Sequence, residues 1–277
     1  MSEAAPDLVP YVMGRGAVIA PMLGRCPLPD PVAFDVLDPS ALDFYRLVNA
    51  ANNHAFGGLG MPAWVQLDCC TLPTAMIGLA ARREDIEVEL WRALVAQAGR
   101  QFGEAAGRGL DDYAGLVPVS EYCAARSFEP DTVVGFSLFA LLPGRGLAVR
   151  TKAMALRCYG ASRQIGATQY GNASVRTHCA FGPLRVVAAR AVAHSQPGDT
   201  FIYALELDDL DRLDALACGA PTHDPPIAPT HWLPLEVGGV GAGVERLVEA
   251  HGEVWIAPPG QVEVAGERRL VLICKGR

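Results

Sequence analysis

The sequence has 277 residues, 51% of them hydrophobic and 19% charged, with a formal net charge of −7. That balance excludes a disordered chain, because enough apolar surface is present to build a sizeable core. It also argues against a nucleic-acid or anionic-membrane partner, since both require a cationic face.

The length suits one elaborated domain, or a domain of about 150–200 residues with an appendage. The 29 Gly and 21 Pro follow no collagen-like period and punctuate a fold with many turns. Cys26, Cys69, Cys70, Cys123, Cys158, Cys179, Cys218 and Cys274 form no Cys-x-x-Cys pair and read as reduced, buried thiols. No apolar run approaches the ~18–20 residues of a membrane span. The first nine residues lack the basic start of a signal peptide, so the expected compartment is the cytoplasm.

In chain order, residues 1–31 are rich in Pro and Gly and read as an extended N-terminal arm. A short strand at 32–37 precedes Asp38-Pro39-Ser40, a helix start in which Asp38 accepts from exposed amides and Pro39 needs no N–H. Leu42, Tyr45, Leu47, Val48 and Ala51 continue with helical spacing up to Gly57-Gly58. A loop at 57–62 and an extended piece at 64–67 follow. A strand is expected at 76–81 and a helix at 85–98, then a polar connection at 99–112. Strands at 116–124 and 132–142 join around Glu129-Pro130-Asp131, a turn composition.

Beyond Pro143-Gly144-Arg145-Gly146 the pattern predicts a helix at 148–159, a strand at 164–169, a short helix at 173–180 and strands at 184–193 and 200–207. A charged helix at 208–217, a Pro-rich loop at 221–234, a helix at 244–250 and strands at 253–257 and 269–273 end the chain. Gly-rich residues 238–243 read as a loop, and no internal repeat is apparent.

The stretch 132–159 carries the most chemistry. A strand runs into a Gly-rich turn and straight into a helix, whose first amides and positive dipole end suit a phosphate group. Gly144, Gly146 and Ala148 permit close backbone approach, while Arg145, Arg150 and Lys152 add positive charge. A turn that needs Gly for its own geometry is the plain alternative. The run is neither a Walker loop nor a Rossmann fingerprint.

This order, followed by Asn172-Ala173-Ser174-Val175-Arg176-Thr177-His178-Cys179-Ala180-Phe181-Gly182, resembles the GNAT superfamily of acyl-coenzyme A transferases. The resemblance covers about residues 32–207, with its motifs confined to 132–182. It implies an α/β fold with a GNAT-like central mixed β-sheet flanked by helices, between the arm 1–31 and a small α+β extension at 208–277. It also implies coenzyme A as co-substrate, held by Leu141, Leu142, Arg145, Gly146, Leu147, Ala148, Val149, Arg150, Thr151 and Asn172. In the family a Gly-x-Gly/Ala turn binds the pyrophosphate, and Gly146-Leu147-Ala148 matches its end. Pro143 stands where the family has Arg or Gln, which moves that role to Arg145. Phe181-Gly182 reverses the family's Gly-Phe.

Acyl transfer to an amine needs an oxyanion donor, commonly a backbone amide of the splayed fourth strand, a base for the amine and an acid for the leaving thiolate. Glu121, charged between apolar strand neighbours, is the leading base, against the alternative of a solvent-facing strand residue. His178 is the leading acid, against a surface histidine on a short helix. Tyr122 and Ser137 are further donors. The acceptor, a small polar amine, is expected against the first helix and the following loop, where Asn49, Asn52, Asn53, His54, Trp64 and Gln66 lie. Capping and turn formation by Asn is the plain reading of that set.

No metal is expected: His223-Asp224 and His231 straddle the Pro-rich loop without a zinc-ligand motif. Adjacent Cys69 and Cys70 on an extended segment would point opposite ways, which suits a chelate poorly. Cys123 has no motif supporting a nucleophile, and no Gly-x-Ser-x-Gly turn supports a hydrolase. Direct attack on the thioester is therefore the preferred reaction. Two alternatives stand beside it. One is a GNAT-fold enzyme that uses a carrier-protein thioester or decarboxylates a malonyl thioester; the other is a non-catalytic coenzyme A- or small-molecule-binding protein.

Overall fold

A computed structural model describes residues 7–71, 74–191, 200–221, 228–235 and 239–276. His223-Asp224 lies outside the described residues, as do the first six residues of the expected arm and the last two of the strand at 184–193.

The sheet begins earlier than the sequence pattern suggests. β1 (Val9–Gly14) is buried along almost its whole length, so residues 1–31 are not simply an arm. Its run is apolar on both faces and only six residues long, which leaves no alternation to detect. α1 (Gly16–Leu23) follows, with Pro21 inside it, and β2 (Val32–Asp35) returns parallel to β1. Asp38 accepts from the Ser40 amide at 2.9 Å and starts a 3-10 turn that leads into α2 (Leu42–Phe56). Gly57, at φ 57°, stops that helix in a conformation that favours glycine.

Residues 64–67, expected extended, are helical within α3 (Ala63–Thr71). Then come β3 (Met76–Arg82), α4 (Val88–Phe102) and α5 (Glu104–Arg108), the last inside the expected polar connection. β4 (Leu116–Arg126), β5 (Thr132–Ala140), α6 (Leu147–Tyr159), β6 (Arg163–Gln169), α7 (Ser174–Cys179), β7 (Leu184–Ala188) and β8 (Thr200–Glu206) follow in the expected order. α8 (Leu210–Ala217) is succeeded by β9 (His231–Pro234), a strand inside the expected Pro-rich loop. α9 (Val240–His251) takes up Gly241 and Gly243, which had read as loop. β10 (Glu253–Val264) and β11 (Glu267–Lys275) complete the chain.

The residues divide into two compact units. The first comprises residues 1–126, 136–160 and 211–219. Its strands run in the order β2-β1-β3-β4, with β1/β2 parallel and the other pairs antiparallel. The Leu141 amide, just past β5, donates to the Val119 carbonyl at 2.8 Å. α2 and α3 cover the sheet face that carries Tyr11, Met13, Met76, Ala80 and Cys123. α6 covers the other face, where Thr151 meets Ser120. Phe34 and Phe44 stack at 3.7 Å, with the Tyr11 ring edge-on to Phe44 at 4.9 Å.

The second unit comprises residues 127–135, 161–210 and 220–277. Its strand order is β6-β8-β7-β10-β11-β9, antiparallel throughout, and residues 132–134 at the start of β5 pair parallel to β6. Parallel and antiparallel pairs together make the architecture a mixed α/β one. The expected extension 208–277 is not one piece: α8 falls in the first unit, where Asp214 meets Arg157 at 3.0 Å. β10, by contrast, continues the second unit's sheet beside β7. Among the described residues no helix is long and apolar enough to cross a membrane.

Candidate functional site

The first unit places a carboxyl group in its core. Glu121 on β4 lies opposite Gly78 on β3, and Gly78 lies opposite Tyr11 on β1. Directly opposed residues project to the same face, so the three share the face beneath α2 and α3. The Tyr11 phenol crosses Gly78 and donates to the Ser120 carbonyl at 3.2 Å. Gly78 is required there, since a Cβ would overlap the Ser120 carbonyl and approach the Tyr11 hydroxyl to 2.5 Å. Cys123, two residues from Glu121, joins Cys69 and Cys70 of α3 in the same core cluster. Asn52 of α2 donates to the Ser137 hydroxyl at 2.8 Å, and its carbonyl oxygen accepts from the Met61 amide at 2.8 Å.

Glu121 is 0% exposed, and neither of its carboxyl oxygens has a hydrogen-bond partner among the described residues. Burial, reinforced by Cys69, pushes its pKa up to about 8; the nearby Asn52 carboxamide opposes the rise. The N–H of Asn52 with normal hydrogen-bond geometry nevertheless goes to Ser137. Burial and the proximity of Glu121 also raise Tyr11 and Cys70 well above their usual ranges. Cys69 and Cys123 share a hydrogen bond that lowers Cys69 and, with burial, raises Cys123. The solvent-facing alternative for Glu121 is excluded by its burial.

The other candidates divide. Tyr122 is next to Glu121 on a strand and so projects to the opposite face, where its ring lies 6.2 Å from that of Tyr159. It does not share the Glu121 environment. His178 belongs to the second unit and is buried with its ring 5.0 Å from Tyr203, not on the surface. Ser137 is brought to Asn52. Asn49 donates to the Met61 carbonyl at 3.0 Å and to Gln66 Oε1 at 2.7 Å; Asn53 donates to the Met61 carbonyl at 2.9 Å. These two carboxamides therefore fasten the segment after α2, the capping and turn role that was the plain reading of the set. His54 is exposed and Trp64 is 69% exposed, away from that buried network. Asn52→Ala is expected to leave the Met61 amide and the Ser137 hydroxyl unpaired and to cost about 1–3 kcal/mol, measured by urea unfolding.

The turn before α6 has the backbone conformations that its glycines allow. Gly144 and Gly146 sit at φ 76° and 64°, nothing crowds either, and no side chain caps the helix. Arg145 is exposed there, Ala148 and Val149 are half-buried, and Leu147 is buried. Two of the residues expected at the cofactor make contacts within the fold, and one of the expected charges is buried. Arg150 Nε donates at 3.2 Å to the Ala217 carbonyl at the end of α8. Thr151 is buried with its hydroxyl 2.5 Å from that of Ser120. Lys152 is 0% exposed and adds no surface charge. Leu141 and Leu142 are half-buried, and the carboxamide oxygen of Asn172 accepts from the Ser174 amide at 2.9 Å, opening α7.

Tyr11 and the three thiols around Glu121 escape sequence reasoning. Tyr11 lies in the segment read as an arm, and Cys69-Cys70 in one read as extended. On a helix adjacent residues differ by about 100°, so both thiols can face one core.

No protein-family model matches the sequence, and a search of curated proteins returns no match. Solved structures resembling the chain include yncA of Salmonella typhimurium, described as a "putative acetyltransferase" with its cofactor acetyl-CoA. Identity is 22% and the TM-score 0.26, over 34% of this chain and 60% of that one. A GCN5-related N-acetyltransferase of Brucella melitensis resembles it at 14% identity and a TM-score of 0.36, over 65% of this chain and 74% of that one. The chain spans 60% of the length of the first of these structures.

Proposed function

We propose that the chain is a GNAT-like acyltransferase that moves an acyl group from an acyl-coenzyme A thioester to the amine of a small polar molecule. The observation that carries this reading is Glu121, a fully buried carboxyl group with neither oxygen hydrogen-bonded and a pKa raised to about 8. A fold gains nothing in stability from an unpaired buried carboxyl, whereas a base that accepts a proton from an amine needs a pKa in this range. The uncapped start of α6 behind Gly144-Arg145-Gly146 supports the coenzyme A half of the proposal, with backbone donors and one exposed guanidinium for a pyrophosphate.

Ionised Glu121 takes a proton from the acceptor amine as nitrogen attacks the thioester carbon. A backbone amide of β5 is the expected donor to the developing oxyanion. The C–N bond forms, the C–S bond breaks, and the proton leaves on the coenzyme A thiol. Asn52, which lies near Glu121, and Ser137, to which it donates, are the polar pair through which the acceptor would be oriented in this reading. Direct attack is preferred over a covalent enzyme intermediate because Cys123 stands in no nucleophile motif.

Coenzyme A at one hundred times its Kd is expected to stabilise the folded chain by about 2.7 kcal/mol, read as a rise in melting temperature. Absence of a rise with free, acetyl- or longer acyl-coenzyme A overturns the proposal. The full burial of Glu121 favours one second reading, a coenzyme A-binding protein without turnover. Thiol release from acyl-coenzyme A across a panel of amines separates the two.

A further inference from the structure

Three donor side chains that acyl transfer does not use converge in the second unit. His231 on β9 lies opposite Leu272 on β11, and Cys274 is two residues beyond Leu272, so Cys274 and His231 project from the same face. α9 packs on β9 and β11 and ends at His251. One ligand atom from each of His231, His251 and Cys274 lies within 4.8 Å of the others, and all three residues are partly buried. The imidazole rings are 5.3 Å apart. Thr230 organises the group: its hydroxyl lies 3.0 Å from His231 Nδ1 and accepts from the Cys274 amide at 2.9 Å. A hydrogen bond on one ring nitrogen orients an imidazole so that the other can ligate, as in established metal sites.

We propose that His231, His251 and Cys274 bind a divalent transition ion of the zinc class. Two imidazoles and a thiolate suit a borderline-soft ion, whereas magnesium and calcium select oxygen donors. Zinc–ligand distances of about 2.0–2.3 Å in a tetrahedron need donors roughly 3.3–3.7 Å apart. A contraction of about 1 Å by side-chain rotation reaches that spacing. β9 is a four-residue edge strand and His251 ends its helix, so both have room to adjust. The ion stays divalent: the metal–sulfur bond forms as the Cys274 thiol releases its proton, and a fourth position remains for water or another ligand. The bound ion ties β9, β11 and α9 together. A bound ion here departs from the expectation of no metal, which considered His231 only with loop residues; the partners of His231 arrive from α9 and β11.

The test is titration of the metal-free, reduced full chain with cobalt(II). The expected result is one ion per chain and a thiolate-to-cobalt charge-transfer band, lost in Cys274→Ser and kept in Cys218→Ser. His231→Ala and His251→Ala should each weaken binding at least about tenfold. Zinc should also protect Cys274 of the unmodified chain from alkylation, read by peptide mass, which requires no variant to fold. A missing band, a band that survives Cys274→Ser, or an unchanged rate of Cys274 alkylation overturns the proposal.

Discussion

Glu121→Gln is expected to lower amine acylation by about 10²–10⁴-fold while leaving coenzyme A affinity unchanged, measured by thiol release and by calorimetry. The amide is close in size and shape to the carboxyl group, so packing against Tyr11, Asn52 and the α3 thiols is retained while the proton acceptor is lost. The pH profile gives a second signature. Glu121 acts only when ionised, so activity of the unmodified chain should rise with pH, reach half its maximum near its pKa of about 8 and level off about one to two pH units higher. The residual activity of Glu121→Gln should lack that limb. Equal turnover in the two proteins removes Glu121 from the mechanism.

The same substitution has a stability consequence of opposite sign. Unfolded, the carboxyl group titrates near 4.5; folded, near 8. Between these values the folded chain binds one more proton than the unfolded chain, so this contribution falls as pH rises. It is fully present below about pH 4.5, is lost through pH 8, and amounts to a few kcal/mol. Glu121→Gln should therefore flatten the dependence of melting temperature on pH and melt above the unmodified chain at pH 8. A loss of activity together with a gain in stability is what separates a buried catalytic carboxyl from a structural one.

Gly78→Ala is expected to destabilise the first unit by about 3 kcal/mol or more, measured by urea unfolding, because its Cβ meets backbone on β4. The overlap is with the Ser120 carbonyl, which a side-chain rotation cannot relieve, and the Tyr11 phenol is displaced from its bond to that carbonyl. Tyr11→Phe, which loses only the hydrogen bond, should cost about 1 kcal/mol. Similar losses for the two variants would mean that β3 and β4 can separate without cost at this point.

Much of the secondary structure is legible because its signals are local. Asp38 before Pro39, Gly57 after α2, and Gly146 and Gly160 at either end of α6 mark boundaries through hydrogen bonding or positive φ at single residues. β1 and α3 are less legible. Each is short, and neither a uniformly apolar strand nor a nine-residue helix offers a full period to distinguish it. The charges near the Gly-rich turn show a different limit. Arg145, Arg150 and Lys152 are equally cationic in sequence, yet Arg145 is exposed, Arg150 reaches α8 and Lys152 is wholly buried. A helix's own period says which residues share a face, but its neighbours decide which face turns inward.

The chain by itself, through its composition and its order of strands, Gly-rich turn and helices, determined a well-cored α/β protein and singled out Glu121. Only the tertiary structure decided what Glu121 is. Its environment is assembled from Tyr11, Asn52, Cys69 and Gly78, residues far from it in sequence. Spacing along β4 can state that Glu121 alternates with Ser120 and Tyr122. Desolvation, which raises the carboxyl pKa, depends on what the fold places over that face. For the same reason His231, His251 and Cys274, spread over 44 residues of sequence, share no recognisable motif and meet only through the pairing of β9 with β11 and the packing of α9.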